Sequence, residues 1–302
     1  MKDYCTKVYA FNKYIRIYAA TTTNLVEKAR VYHETWPTAT AALGRFLTAS
    51  AMTSLMYKAG EHLTFIINGN GSIGQMVVEA TYGTVKGSIE HPGVYLKYNN
   101  GHLAVGLAVG NQGDLTVIKD LHMREPFSSI SPLQSGEIGD DFTYYFASSE
   151  QVPSSVGLGV LINPDNSVKS AGGFIIQVMT GCPDEVLNKL EERLKTLKPV
   201  SQMVDEGLTP IQMIEEISGK DYEILDDNIP LEYKCDCSRE RFLLKMEACG
   251  EDQLNDIINK EGKAEVVCHF CMKHYQFNKD DLISVLNNIK RKKENNKKEE
   301  SK

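Results

Sequence analysis

Two short cysteine clips constrain this chain more than anything else in it. They are Cys235-Asp236-Cys237, then thirty intervening residues, then Cys268-His269-Phe270-Cys271. Four of the seven cysteines sit in them. Two thiols one or two residues apart can point at one centre, because the turn between them is tight. Two such clips brought together make a tetrahedral sulfur cage. That cage suits zinc, which takes four thiolates at about 2.3 Å and has no redox chemistry of its own. Four buried cysteines acting as small hydrophobes would not explain such tight pairing in a polar, charge-rich segment. The expected metal ligands are therefore Cys235, Cys237, Cys268 and Cys271, with one Zn2+ per chain.

The first clip is C-x-C, whereas ordinary zinc ribbons use C-x-x-C at both ends. Both spacings also let near neighbours form a disulfide if the metal leaves. Zinc ties residue 235 to residue 271, across the whole module. A bridge within either clip closes only a tiny loop, and loop-closure entropy grows with loop length. Structural zinc contributes roughly 10–16 kcal/mol of apparent binding free energy, which in a small module is folding free energy. Exchanging the metal for local disulfides is expected to melt the module.

A chain of 302 residues has room for one large core and one satellite domain. Its first twenty residues mix Lys2, Asp3, Lys7, Asn12, Lys13 and Arg16 among apolar ones, so no signal peptide is expected. No stretch approaches the roughly eighteen apolar residues of a membrane span. The expected location is a reducing cytoplasm, where cysteine clusters read as metal or redox sites. Residues 1–230 carry 18 basic and 26 acidic side chains, and residues 231–302 carry 15 and 14. Neither part is strongly basic, which counts against nucleic-acid binding. The tail from residue 290 holds Lys290-Arg291-Lys292-Lys293 with Glu294, Glu299 and Glu300, and reads as solvated and disordered.

In order along the chain, residues 4–19 alternate in parts and are rich in Val, Ile and Tyr, which predicts one or two strands. Thr21-Thr22-Thr23-Asn24 offers N-caps for a helix over residues 25–33, and residues 38–57 repeat apolar positions at helical spacing. Trp36, between these helices, is expected to plug the core. Residues 63–68 and 75–81 read as strands. The Gly69-Asn70-Gly71-Ser72-Ile73-Gly74 between them matches a dinucleotide fingerprint literally. That motif needs a following helix, whereas Met76-Val77-Val78 is a strand pattern, so the stretch is expected to be a hairpin turn. Short strands are predicted at 85–89, 94–96, 103–109 and 115–119. A helix is predicted at 137–146, and paired strands at 157–162 and 172–179.

Pro183 opens a helix to about residue 197. Thr209-Pro210-Ile211-Gln212 is a helix start with a capping box. Beyond the first clip, helices are predicted at 238–248 and 251–260, a zinc knuckle flanked by strand at 266–277, and a closing helix at 280–289. The fold class is α+β: an N-terminal α/β core over 1–180, a helical linker over 181–232, a zinc-binding module over 233–289 and the tail over 290–302. Cys249, His269 and His274 are weaker ligand candidates, since four sulfurs already fill a tetrahedron. Cys5 and Cys182 read as ordinary thiols. There is no G-x-S-x-G and no P-loop lysine. His33-Glu34 lacks a second His, and Asp140-Asp141 reads as a helix start. No catalytic residue, and so no enzyme, is expected.

The chain closely resembles the heat shock protein 33 family over essentially its full length. The resemblance rests on Ala19-Ala20-Thr21-Thr22-Thr23, Pro37-Thr38-Ala39-Thr40-Ala41-Ala42-Leu43-Gly44-Arg45, Ser135-Gly136-Glu137-Ile138, Tyr144-Tyr145 with Ser149-Glu150-Gln151, Ala171-Gly172-Gly173-Phe174, and the two clips followed by Tyr275 and Phe277. It implies a bacterial holdase that is zinc-bound and inactive when reduced. Peroxide with mild heat, or hypochlorite, would oxidise the four thiolates to two near-neighbour disulfides and release zinc. The module and linker would then lose structure, and the protein, as a homodimer, would bind unfolding clients without ATP. The resemblance pairs Cys235 with Cys237 and Cys268 with Cys271. The sequence departs from the family in the second clip's interior, with His269 and His274, and in the extra Cys249. Two other readings are a zinc-ribbon module binding nucleic acid or a protein, and a disulfide oxidoreductase using Cys268 and Cys271. The first wants a basic face, and the second wants C-x-x-C at a helix start in a βαβ unit. Neither a nucleic acid nor a membrane is an expected partner.

Overall fold

The structure, a computed structural model, describes residues 2–300, with side chains through residue 293. The chain divides into a unit ending at Lys234 and a second beginning at Cys235. The first unit opens with the hairpin β1 (Tyr4–Ala10) and β2 (Ile15–Thr21), then helices α1 (Thr23–His33) and α2 (Pro37–Ser54). Strands β3 (His62–Gly69), β4 (Gln75–Thr81) and β5 (Thr84–Ile89) follow, then the short helix α3 (Val105–Val109). Next come β6 (Gly113–Asp120), β7 (Phe127–Pro132), α4 (Gly139–Ser148), β8 (Ser154–Ile162) and β9 (Val168–Val178). Helices α5 (Asp184–Thr196), α6 (Val200–Asp205) and α7 (Pro210–Ser218) lead to β10 (Tyr222–Pro230) and β11 (Glu232–Tyr233).

These strands build two sheets, β10-β1-β2-β9-β8 and β11-β5-β4-β3-β6-β7. Every pairing is antiparallel except β11 on β5. Helix α2 packs on strands of both sheets, and every residue in it except Arg45 is buried. Its Ala and Gly positions make that possible. A Cβ at Gly44 would come within 2.6 Å of the Val26 side chain. Arg45 is retained in this setting by Glu137, whose carboxylate lies 2.5 Å from the guanidinium and also accepts from the Tyr98 hydroxyl and the Gly106 amide.

Aromatic rings fill the centre of this core. Phe142 is fully buried, with the rings of Phe65 and Phe46 at 5.8 and 6.1 Å. Truncating such a ring removes its transfer free energy and leaves a cavity. Phe142→Ala is expected to lower stability by about 3–5 kcal/mol in denaturant unfolding while leaving metal stoichiometry at the clips unchanged.

The opposite face of the five-stranded sheet is apolar too, with Val8, Ile15, Ile17, Phe174 and Ile176 on it. It is covered by Leu190, Val200, Met203, Met213, Ile214 and Ile217 from α5–α7. The capping box starting α7 forms as its sequence predicts, with Thr209 and Gln212 bonded reciprocally. Residues 181–232, expected to be helical, thus hold three helices and then the strands β10 and β11. β10 pairs with β1 through two register shifts, and of its residues only Ile229 is buried.

Several local expectations are corrected. Trp36 is 56% exposed, not a core plug, because it sits at the N-cap of α2 with its amide bonded to Pro92. Residues 103–109 were expected to be a strand and end in the helix α3. The Ala108 and Val109 carbonyls accept from Ile73 and Gly71 in the β3–β4 turn, so they serve that turn instead of a ladder. Residues 94–96 form no strand; only an isolated bridge joins Lys97 to Leu103 nearby. The threonines before α1 do not cap it. Asp3 accepts from the Leu25 amide at 2.6 Å, and Thr22 bonds Thr48. The hairpin reading of residues 69–74 holds, and β4 follows the glycines. Asp141 begins α4 by accepting from the amides of Gln134, Ser135, Gly136 and Ile138.

The second unit contains α8 (Arg239–Met246), a 3-10 turn, α9 (Gly250–Lys260), the hairpin β12 (Lys263–Val267) and β13 (His274–Asn278), and α10 (Lys279–Glu300). Its small core gathers Met246, Leu254, Ile258, Phe277, Leu282 and Leu286 around Cys268. α10 runs through the stretch from residue 290 that was expected to be disordered. Lys292 and Lys293 pair with Glu247 and Glu251 across to α9 and the turn before it, which supports the extra turns. Ser301 and Lys302, the end of that stretch, lie outside the described residues. Among the described residues no helix is long and apolar enough to cross a membrane.

Candidate metal centre

The first clip is fixed by the helix that follows it. Ser238 is the N-cap of α8 and accepts from the Arg241 amide at 3.2 Å. Arg241 reaches back to the Asp236 carbonyl at 2.9 Å and to the Asp236 carboxylate. The middle residue of C-x-C is therefore clamped, and Cys235 and Cys237 are turned to one side.

The second clip is the turn of the β12–β13 hairpin. The Cys268 amide donates to Lys273 at 3.0 Å, and the Met272 amide donates to Cys268 at 2.8 Å. Met272 adopts φ 56° to close the turn, a left-handed conformation that a non-glycine side chain adopts at a cost. With Val267 opposite His274, this places Cys268 and Cys271 at the hairpin's end.

The four sulfurs all lie within 4.8 Å of one another, the only such cluster of potential ligands among the described residues. Cys235 is 3.6 Å from Cys268, and Cys237 is 3.4 Å from Cys271. A tetrahedron with metal–sulfur bonds of about 2.3 Å has edges of about 3.8 Å. The spacing fits such an ion and is far too long for a disulfide, whose sulfurs sit about 2.05 Å apart. Cys268 is 3% exposed and the other three are half-buried.

Left as thiols, the four differ. Burial, together with hydrogen bonds to its neighbour thiols, pushes Cys235 well up against an opposing backbone bond from Cys237. Burial likewise pushes Cys271 up to about 11. Burial acts the same way on Cys237, but bonds from Tyr275 and the other thiols outweigh it and bring it down to about 7. Tyr275, 7% exposed on β13, places its hydroxyl 3.2 Å from the Cys237 sulfur and 3.1 Å from the Cys237 carbonyl.

The weaker candidates stay outside this cluster. His274 pairs with Glu265 at 2.8 Å, Cys249 is exposed, and His269 contributes no ligand atom to it. Cys5 is fully buried in the first unit, and burial pushes its thiol far up. Cys182 is half-buried against the apolar cluster under α5–α7 in the same unit, its thiol likewise raised by burial. The sequence reading missed Arg241, and it named Tyr275 within the motif without a role at the centre. The position of Tyr275 two residues before Phe277, on one face of a strand, was the available signal.

Two folded units, the second built around a four-sulfur centre able to hold a metal ion, define the class of protein. The sequence profile of the Hsp33 protein family matches residues 3–278. The 33 kDa chaperonins of Staphylococcus aureus strains JH9 and Newman are each 45% identical over 289 residues, covering 95% of this chain and 99% of theirs. The crystal structure of the 33 kDa chaperonin (heat shock protein 33 homolog) from Thermotoga maritima matches with a TM-score of 0.84 at 35% identity. It covers 94% of this chain and 98% of that one. The chain belongs to the Hsp33 family.

Proposed function

We propose that this protein is a redox-regulated, ATP-independent chaperone of the holdase type, not an enzyme, working in a reducing cytoplasm. Cys235, Cys237, Cys268 and Cys271 hold one Zn2+ in the reduced, inactive form. The ion's part is structural: it joins the two clips and neutralises thiolate charge. The observation that carries the reading is the sulfur cage itself, seated in the small core of the second unit. The names of its relatives support the chaperone part.

Oxidation acts on the sulfurs. One thiolate attacks hydrogen peroxide to give a sulfenic acid and hydroxide, and a second thiolate displaces hydroxide from it to give the disulfide. Each disulfide transfers two electrons to one peroxide, so two peroxides convert all four sulfurs. Neutral disulfides no longer hold the ion, and the second unit loses its strongest tie. In this reading residues 181–232 then act as a linker that lifts from the sheet. The surface uncovered is the apolar face carrying Val8, Phe11, Ile15, Ile17, Phe174 and Ile176. Unfolding clients bind there, with the oxidised protein as a homodimer, and neither nucleic acid nor membrane is a partner.

The test follows metal and client together. Reduced, zinc-loaded protein is treated with peroxide at raised temperature beside a chromophoric chelator and a heat-denatured client. One zinc per chain is expected to appear as light scattering from the client is suppressed, and reductant with zinc is expected to reverse both. Zinc release with undiminished scattering would leave a merely structural site.

A further inference from the structure

We propose that Tyr275 is a positioning residue for the metal centre: its hydroxyl donates a hydrogen bond to the Cys237 thiolate and thereby sets how firmly the cage holds its ion. This deepens the reading of the four cysteines as zinc ligands and rests on it. The argument starts with counting protons. The Tyr275 oxygen lies 3.2 Å from the Cys237 sulfur and 3.1 Å from the Cys237 carbonyl oxygen. While Cys237 is a thiol, two protons are available: sulfur can donate to the hydroxyl and the hydroxyl to the carbonyl. As a metal ligand Cys237 is a thiolate and has no proton to give. The hydroxyl then carries the only proton between them. A charged acceptor forms the stronger hydrogen bond, so the proton turns towards sulfur.

The hydroxyl is held for that purpose. Tyr275 is inward on β13, opposite Val266, with the ring of Phe242 at 5.0 Å. The Lys273 ammonium lies over its ring at 5.3 Å, an attraction that helps hold the ring in place. Four thiolates around one divalent ion leave the cage doubly negative in a half-buried setting. A donor aimed at one sulfur spreads that charge, and loss of such an outer partner typically weakens metal binding about 10–100-fold. The bond thereby governs how readily the sulfurs part from the ion, and so the threshold of the switch.

The experiment uses the full-length reduced protein without oxidant. Tyr275→Phe keeps the ring and removes only the hydroxyl. Zinc transfer to a chromophoric chelator is expected to be about 10–100-fold faster than in the parent. In the Co2+-substituted protein the sulfur-to-cobalt charge-transfer band is expected to move to lower energy, a shift that ring packing alone would not produce. Should the variant fold poorly, the parent grown on 3-fluorotyrosine serves instead. Tyr275 is the only tyrosine beyond residue 234, and the more acidic phenol is expected to shift the band to higher energy and slow transfer. Unchanged transfer and an unchanged band, with one metal per chain in both proteins, would remove Tyr275 from the centre and leave the zinc reading intact. A parent that binds neither Zn2+ nor Co2+ would overturn both.

Discussion

Withdrawing zinc from the reduced chain is expected to unfold the second unit and leave the first folded. Among the described residues the second unit has ten in its buried core, and two of them, Cys268 and Tyr275, belong to the cage or touch it. A single core in a chain below roughly 70–80 residues rarely supplies more than about 3–5 kcal/mol. Structural zinc contributes roughly 10–16 kcal/mol, so the metal term exceeds all that the core can offer. The ion pairs Arg239–Asp281 and Lys293–Glu251, each with an exposed cation on a partly buried carboxylate, do not alter the balance, since pairs open to solvent on one side are worth about 1 kcal/mol each. The first unit has no such dependence, with two sheets closed over α2 and a continuous core. Hydrogen exchange in the presence of a strong chelator is the measurement. Amides of β12, β13, α8 and α9 are expected to lose protection while those of β2, β3, β4 and β9 keep theirs. A β12–β13 hairpin that stays protected without metal would show that the cage is an ornament on a self-sufficient fold.

What could be read from sequence follows from how local each signal is. The clips were legible because each is a tight turn whose chemistry needs no distant partner. Thr209 and Gln212 were legible for the same reason, and so was the β3–β4 hairpin, since a turn and its flanking strands are contiguous. β10 was not. Its residues are mostly exposed, three of the nine are acidic, and the partner that makes it a strand, β1, lies at the other end of the first unit. The helix α3 was misread because its carbonyls serve the β3–β4 turn about forty residues earlier, a contact no periodicity reveals. Trp36 was misread from composition, a large apolar ring being assigned to the core although its place at a helix start turned it outward. Tyr275 was quoted only as part of a motif. Its chemistry depends on a hydroxyl reaching across from β13 to the other clip, and that requires coordinates.

Oxidation of the zinc-loaded protein is expected to yield disulfides Cys235–Cys237 and Cys268–Cys271, although sulfur contacts also run across the clips. In the folded cage Cys235 lies 3.6 Å from Cys268 and Cys237 3.4 Å from Cys271, so the crossed pairs are within easy reach. Two considerations oppose them. The first bond formed loosens the cage, after which only a partner in the same clip stays tethered within reach. Loop closure also costs less for the local pairs. A loop of three or four residues costs about 2 kcal/mol, while one closed by residues 33 or 34 apart costs about 4 kcal/mol. In a melted unit that difference of about 2 kcal/mol favours the local bridge roughly 30-fold. The same figures decide the structural outcome. Two local bridges recover about 4 kcal/mol of the roughly 10–16 kcal/mol that zinc contributes, and neither joins one clip to the other. A crossed bridge would tie the clips much as the metal does and keep the unit closed. Peptide mapping of a non-reduced digest, beside hydrogen exchange on the same sample, distinguishes them. Local bridges with lost protection in β12 and β13 are the expected pair of results. Crossed bridges in a unit that remains protected would mean that oxidation locks this protein shut, and the switch would have to lie elsewhere.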